Sequence, residues 1–143
     1  SQLAMEQFYA DLYFVCPTRF FLESVSRFTP TYGYYYTHEP SWIDYYPSLE
    51  GWGAYHSSEL PFVFGTFLNT LTAAENNLSS QMQNAWISHA SGAPNVTDIG
   101  DWPYFDGSSN SGGTWMEWST ENLSVVTGVR KEQCDFIAEE WYE

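Results

Sequence analysis

The run Thr31-Tyr32-Gly33-Tyr34-Tyr35-Tyr36-Thr37 constrains the fold of this chain more than any other feature. One glycine apart, it is built of aromatic and β-branched residues between Pro30 and Pro40, a composition that suits a pleated, half-buried strand. Helical patterns precede it. Ala4, Phe8, Leu12 and Val15 recur at helical spacing, and Pro17 is expected to break that helix after Cys16 and restart the chain. A second short helix, with the stripe Phe21, Leu22, Val25 and Phe28, should stop at Thr29-Pro30. A helix pair leading into a strand points to an α/β unit.

Beyond the strand, residues 38–55 carry Pro40, Pro47, Gly51 and Gly53 and read as an irregular surface loop. The loop delivers Gly53-Ala54-Tyr55-His56-Ser57-Ser58-Glu59, and the apolar segment Leu60 to Gly65 that follows is expected to be buried. Thr72 and Glu75 form a capping-box pattern at the start of a helix whose stripe is Leu78, Met82, Ala85, Trp86 and His89. Gly92-Ala93-Pro94 should end it. Residues 93–113 read as loop, most flexible at 108–113. Thr114–Trp118 and Leu123–Thr127, joined by a short polar turn, predict a hairpin. A last helix is predicted from about Arg130 to Trp141, with Cys134, Ile137, Ala138 and Trp141 on one face.

A content of 43% hydrophobic and 20% aromatic residues in 143 supports one packed domain and excludes disorder. The formal charge of −14 would repel phosphate backbones and anionic lipid alike, so nucleic-acid and membrane partners are not expected. No apolar run reaches the roughly 18 residues of a membrane span, and no signal-peptide pattern opens the chain. It starts at Ser1 without an initiator Met, so an end made by proteolysis or truncation is expected. Sequons at Asn77, Asn95 and Asn122 agree with a secretory origin. Cys16 and Cys134, the two cysteines, are then either one disulfide or two buried thiols.

Glycine-rich phosphate loops, Cys-x-x-Cys pairs and His-Glu-x-x-His are absent, so neither a nucleotide nor a metal is expected, and no cofactor is implied. No Gly-x-Ser-x-Gly elbow is present either: Ser91 and Ser111 each precede a glycine but lack the upstream one that permits the sharp turn. Ser57 and Ser58 beside His56 do not make a local triad, because adjacent side chains leave the backbone in different directions and neither serine sits in an elbow. What remains is His56 in its setting of strand, irregular loop and apolar segment.

That setting resembles the histidine motif of the type-B carboxylesterase and cholinesterase family of α/β-hydrolases, which includes secreted fungal lipases and esterases. The family pattern is Gly-x-x-His-x-x-Glu-[Ile/Leu]-x-[Phe/Tyr]-Val-Phe-Gly, and His56, Glu59, Leu60, Phe62, Val63, Phe64 and Gly65 fall on it in register. Asp11-x-x-Phe14-x-Cys16-Pro17 resembles the family's upstream Cys-Pro segment. Trp86 through Gly92 to Pro94-Asn95, then Trp102-Pro103-Tyr104, resembles its downstream helix and loop, and Arg130-x-x-x-Cys134-x-Phe136 resembles its C-terminal helix.

The resemblance implies a fold class: residues 1–143 as the C-terminal portion of a single α/β-hydrolase catalytic domain, contributing the last strands of a mostly parallel sheet, flanking helices and a C-terminal hairpin. It implies a carboxylic-ester hydrolase of the serine type in which His56 is the triad base, with the serine and the acid on an upstream chain that completes the fold. An imidazole suits that task, since it accepts and returns a proton near neutrality. Either the mature enzyme is cleaved into associated chains or this is a fragment of it. The alternative is a catalytically silent adhesion or binding module on the same fold.

By the same resemblance Cys16 and Cys134 match positions that form a long-range disulfide. Glu59 is placed behind the site, supporting it rather than orienting His56, because the family's orienting carboxylate lies upstream. His38 and His89 are read as structural. Among the aromatic loop residues Trp42, Tyr45, Tyr46, Trp52 and Tyr55, proximity to His56 makes Trp52 and Tyr55 the candidates for a substrate pocket, opposite the alternative of packing beneath a long loop. The expected substrate is a small-molecule ester and the expected location extracellular.

Overall fold

A computed structural model describes residues 2–45, 48, 51–67, 71–92, 95–96, 100–107, 111–121 and 123–141. Residues 108–110 of the expected flexible stretch 108–113, the loop residue Tyr46 and the sequon residue Asn122 lie outside them. The chain is mixed α/β. Helices α1 (Gln2–Ala10) and α2 (Cys16–Val25) precede strand β1 (Gly33–Tyr36). Helices α3 (Leu60–Phe64) and α4 (Ala73–Ala90), strands β2 (Asn95–Val96), β3 (Gly100–Asp101), β4 (Thr114–Trp118) and β5 (Ser124–Thr127), and helix α5 (Lys131–Trp141) follow. The main sheet has the order β1-β4-β5. The predicted hairpin is therefore present as neighbouring strands, and a link this short between them excludes a parallel crossover. Among the described residues no helix is long and apolar enough to cross a membrane.

Two compact units divide the chain. The first comprises Ser1–Gly33, Pro103–Trp115 and Val125–Glu143. Here the expected break at Pro17 does not occur: a π turn over Asp11–Val15 carries α1 directly into α2. Pro17 lies in the first turn of α2, where a missing N–H costs least, and the wide turn lets the Cys16 N–H reach the Asp11 carbonyl five residues back. The additional residue in that turn also rotates the buried face. Cys16, Arg19 and Leu22 point inward, whereas Phe21 and Phe28 of the predicted stripe are 65% and 89% exposed.

The core of this unit gathers Leu12, Cys16, Cys134 and Ile137, with Phe8, Val15 and Phe20 packed around it. Cys16 and Cys134 are joined by a disulfide, closing a separation of 118 residues, so the two-thiol alternative is discarded. On α5 the predicted stripe is narrower than expected, because Ala138 is half-buried and Trp141 lies exposed, its ring centroid 5.9 Å from that of Phe8. Two arginines bind acids across the core. Arg19, buried, reaches Glu23 at 2.8 Å and Asp135 at 2.9 Å, and Arg130 donates through Nε and Nη2 to the buried Asp11 carboxylate. Gly113 is required where it stands, since a Cβ there would meet the Phe105 ring at 2.0 Å and its φ is +79°.

The second unit comprises Tyr34–Trp102 and Met116–Ser124. Its longest helix, α4, starts as the sequence predicts: Thr72 caps it, its hydroxyl accepting from the Glu75 N–H while the Glu75 carboxylate accepts from the Thr72 N–H at 2.9 Å. Leu78, Met82 and Ala85 are buried as the stripe requires. Trp86 is half-buried in an aromatic cluster with Tyr34, Trp102 and Trp118, at centroid distances of 5.2, 5.0 and 5.8 Å. His89, predicted on the buried stripe, is exposed, its ring 6.2 Å from that of Trp102. The predicted loop 93–113 contains the antiparallel pair β2–β3, which two residues per strand make too short to register as a pattern.

Candidate active site

His56 opens a tight turn, residues 56–59, that runs directly into α3. Backbone bonds define it: the Ser58 N–H donates to the Tyr55 carbonyl at 3.0 Å, and the Leu60 N–H donates to that of Ser57 at 3.2 Å. Ser57 adopts φ +69°, a left-handed conformation that is uncommon outside glycine. The turn therefore holds a non-glycine residue in an unfavourable region directly beside His56, a kind of strain that clusters at functional sites. The His56 side chain is exposed. Ser58, by contrast, is 1% exposed, out of reach of any substrate carbonyl, which removes that serine as a nucleophile.

The apolar segment after the turn is the short helix α3 rather than a wholly buried stretch. Phe62 and Val63 face inward and Leu60 and Phe64 are 44% and 68% exposed, as two sides of one helical turn must be. Gly65 ends it in the left-handed conformation at φ +63°, its N–H donating to the Pro61 carbonyl. From α4, the Ser79 hydroxyl donates to the Phe62 carbonyl at 2.9 Å, fixing the limb that leaves the turn.

The limb that enters it is anchored by side chains. Tyr55 is half-buried, and its hydroxyl accepts from the Trp42 indole N–H at 2.9 Å. The Trp42 ring stacks on Phe62 at 5.3 Å with an interplanar angle of 29°. Of the aromatic loop residues, Trp42 is thus a packing element, while Trp52 and Tyr45 are 59% and 71% exposed. Trp52 meets Tyr55 edge-on at 6.1 Å, so the two pocket candidates touch each other.

Glu59 accepts from the Tyr34 hydroxyl of β1 at 3.4 Å. Burial first, then the Glu59 charge and this hydrogen bond, push the Tyr34 phenol up to about 12, so it remains a donor at neutral pH. Tyr36 is raised further, by burial and then by the charges of Glu59, Glu75 and Tyr55.

Behind the turn lies a polar network that sequence reasoning missed. Glu75, 1% exposed, accepts from the Ser41 N–H and the Ser41 hydroxyl, each at 2.7 Å, and from the Thr72 N–H and hydroxyl, each at 2.9 Å. His38 Nε2 donates to the same carboxylate at 3.2 Å, and Thr120 Oγ1 lies 3.2 Å from His38 Nδ1. Burial opposes the charge on Glu75, yet the hydrogen bonds from Ser41 and Thr72 outweigh it and hold the carboxyl down at about 2. His38 thus has the structural role the sequence reading gave it. Glu75 was legible as a cap but not as the hub of three separate segments. Among the described residues no group of acidic, histidine and cysteine side chains is arranged to hold a metal ion.

A mixed α/β frame with a three-stranded sheet is compatible with part of an α/β-hydrolase fold. The sequence profile of the carboxylesterase family matches residues 1–137, and the chain belongs to that family. It is 33% identical over 112 residues to the cocaine esterase of Homo sapiens, covering 73% of this chain and 20% of that protein. It is 36% identical over 132 residues to an acetylcholinesterase of Leptinotarsa decemlineata, covering 88% of this chain and 20% of the relative. With the acetylcholinesterase of Bungarus fasciatus it shares 28% identity over 141 residues, 93% of this chain and 22% of that one. The chain spans about a fifth of the length of the curated relatives it matches.

Proposed function

We propose that residues 1–143 are the C-terminal portion of the catalytic domain of a serine carboxylic-ester hydrolase, in which His56 is the general base and acid. The observation that carries this reading is the presentation of His56: an exposed imidazole on a turn whose entry is anchored by Tyr55–Trp42 and whose exit is locked into α3. Family membership supports ester hydrolysis in general. The serine and the triad carboxylate lie in the remaining, upstream part of the protein, which also completes the sheet. The serine attacks the ester carbonyl, backbone amides of the upstream part hold the oxyanion, and His56 takes the serine proton and returns it to the leaving alcohol. Water then repeats the sequence on the acyl-enzyme.

Trp52 meets Tyr55, the residue before His56, and the two supply an aromatic wall for a small-molecule ester. The Cys16–Cys134 disulfide and the exposed sequon residue Asn77 favour a secreted protein. The test is His56→Ala in the full-length protein with a p-nitrophenyl ester as substrate. The expected loss in kcat is on the order of 10⁴-fold or more. A protein in which neither the original nor the variant hydrolyses any ester would instead be a silent adhesion or binding module.

A further inference from the structure

We propose that Glu75 is a positioning residue for His56, acting through Ser41 and Trp42 on Tyr55, the residue immediately before His56. This rests on the reading of His56 as the base. A capping-box glutamate needs its carboxylate only for the N-cap residue, and one oxygen, Oε2, satisfies the Thr72 N–H and hydroxyl. The other oxygen, Oε1, serves nothing in helix α4. It accepts from the Ser41 N–H at 2.7 Å and from His38 Nε2 at 3.2 Å, and Oε2 takes the Ser41 hydroxyl as well. The carboxylate therefore ties the start of the 3-10 turn Ser41–Tyr45 to the rigid end of an 18-residue helix.

Trp42, the next residue, touches both limbs of the His56 turn. Its indole N–H donates to Tyr55 before His56, and its ring stacks on Phe62 after it. His38, held by the same carboxylate, packs its ring edge-on to Phe62 at 5.4 Å. The entry limb has reason to need such an anchor. Gly51 and Gly53, at φ +80° and +58°, give that limb a permissive backbone, and among the described residues nothing lies within 4 Å of where their side chains would begin. Catalysis by a base requires its nitrogen to be held to a fraction of an ångström, and a displacement of about 1 Å costs on the order of 100-fold. Geometry set at Glu75 is thus transmitted towards the imidazole through the two Ser41 hydrogen bonds, the Trp42–Tyr55 hydrogen bond and one stacked ring.

The test uses the full-length protein and the variants Trp42→Phe, Tyr55→Phe, the double variant, Glu75→Gln and His56→Ala. Trp42→Phe deletes the donor while keeping an aromatic ring against Phe62, and Tyr55→Phe deletes the acceptor with almost no change of volume, so agreement between the two separates the lost hydrogen bond from the smaller ring. We expect Trp42→Phe and Tyr55→Phe each to lower kcat roughly tenfold, with KM changed less than twofold in Trp42→Phe, and the double variant to be no slower than the singles. Glu75→Gln should lower kcat by about 10- to 100-fold at temperatures well below its unfolding transition. An inactive His56→Ala alongside Trp42→Phe and Glu75→Gln at the original kcat would overturn the positioning role alone. Undiminished kcat in His56→Ala would overturn the reading of the base itself, and the proposal with it. Additive losses in the double variant would also overturn it, because the two residues would then act separately.

Discussion

Glu75→Gln has a consequence for stability that can be worked from the structure. The folded carboxyl sits at about 2, against 4.5 for an unperturbed glutamate, because the Ser41 and Thr72 donors outweigh the burial that opposes its charge. A group whose folded value is depressed stabilises the native state above its unfolded value, and that contribution disappears as pH falls towards the folded one. The window here runs from about pH 4.5 down to about 2. At about 1.4 kcal/mol per unit the shift corresponds to roughly 3 kcal/mol. The side chain is 1% exposed, so solvent screening does not dilute it. Glutamine keeps the shape but brings an NH₂ group towards donors and removes the charge. Urea unfolding of the full-length protein, followed by tryptophan fluorescence between pH 7 and pH 2.5, should show the variant about 3 kcal/mol less stable at pH 7. The two curves should converge as pH falls below 4.5. Parallel curves over that window would refute the claim that the ionised carboxylate is what the network stabilises.

Three further outcomes follow from the same geometry. Replacing Cys16 and Cys134 together by alanine opens a closure of 118 residues and should cost up to roughly 4 to 5 kcal/mol, measured by denaturant unfolding under non-reducing conditions. Arg130→Ala leaves Asp11, 2% exposed, without its principal cation; a loss of about 3 kcal/mol is expected, at the low end for a broken buried pair because the Arg130 side chain is itself 30% exposed. Ser57→Gly relieves the left-handed conformation beside His56 and should raise stability by up to about 1 kcal/mol, with a thermal-shift measurement showing no loss.

The parts of the fold that were legible in the sequence are those written by short-range rules. Thr72-x-x-Glu75 announced the start of α4 because a capping box is local, and β1 was marked by its aromatic residues between prolines. The π turn was illegible, since Pro17 reads alike whether a helix breaks before it or widens to admit it. Phe21 and Phe28, read from spacing as part of the inner face, stand outside because the buried face of α2 runs through Cys16, Arg19 and Leu22 and Phe28 lies beyond its last residue, Val25. The cysteine count alone left a bridge or two thiols, the resemblance pointed to Cys16–Cys134, and the structure joins them across 118 residues. At the candidate site, His56 was found through register with a motif, a signal that survives without any knowledge of tertiary contacts. Its supports were hidden because Glu75, Ser41, Trp42 and Tyr55 converge from separate segments, and no periodicity connects them.

The central claim is that His56 serves a nucleophile located outside these 143 residues. A fluorophosphonate probe applied to the full-length protein, followed by peptide mapping, tests it most directly. The account predicts a single adduct on a serine upstream of residue 1 in this numbering, with labelling slowed by orders of magnitude in His56→Ala. An adduct on a serine within residues 1–143, or labelling of His56→Ala at the original rate, would contradict it.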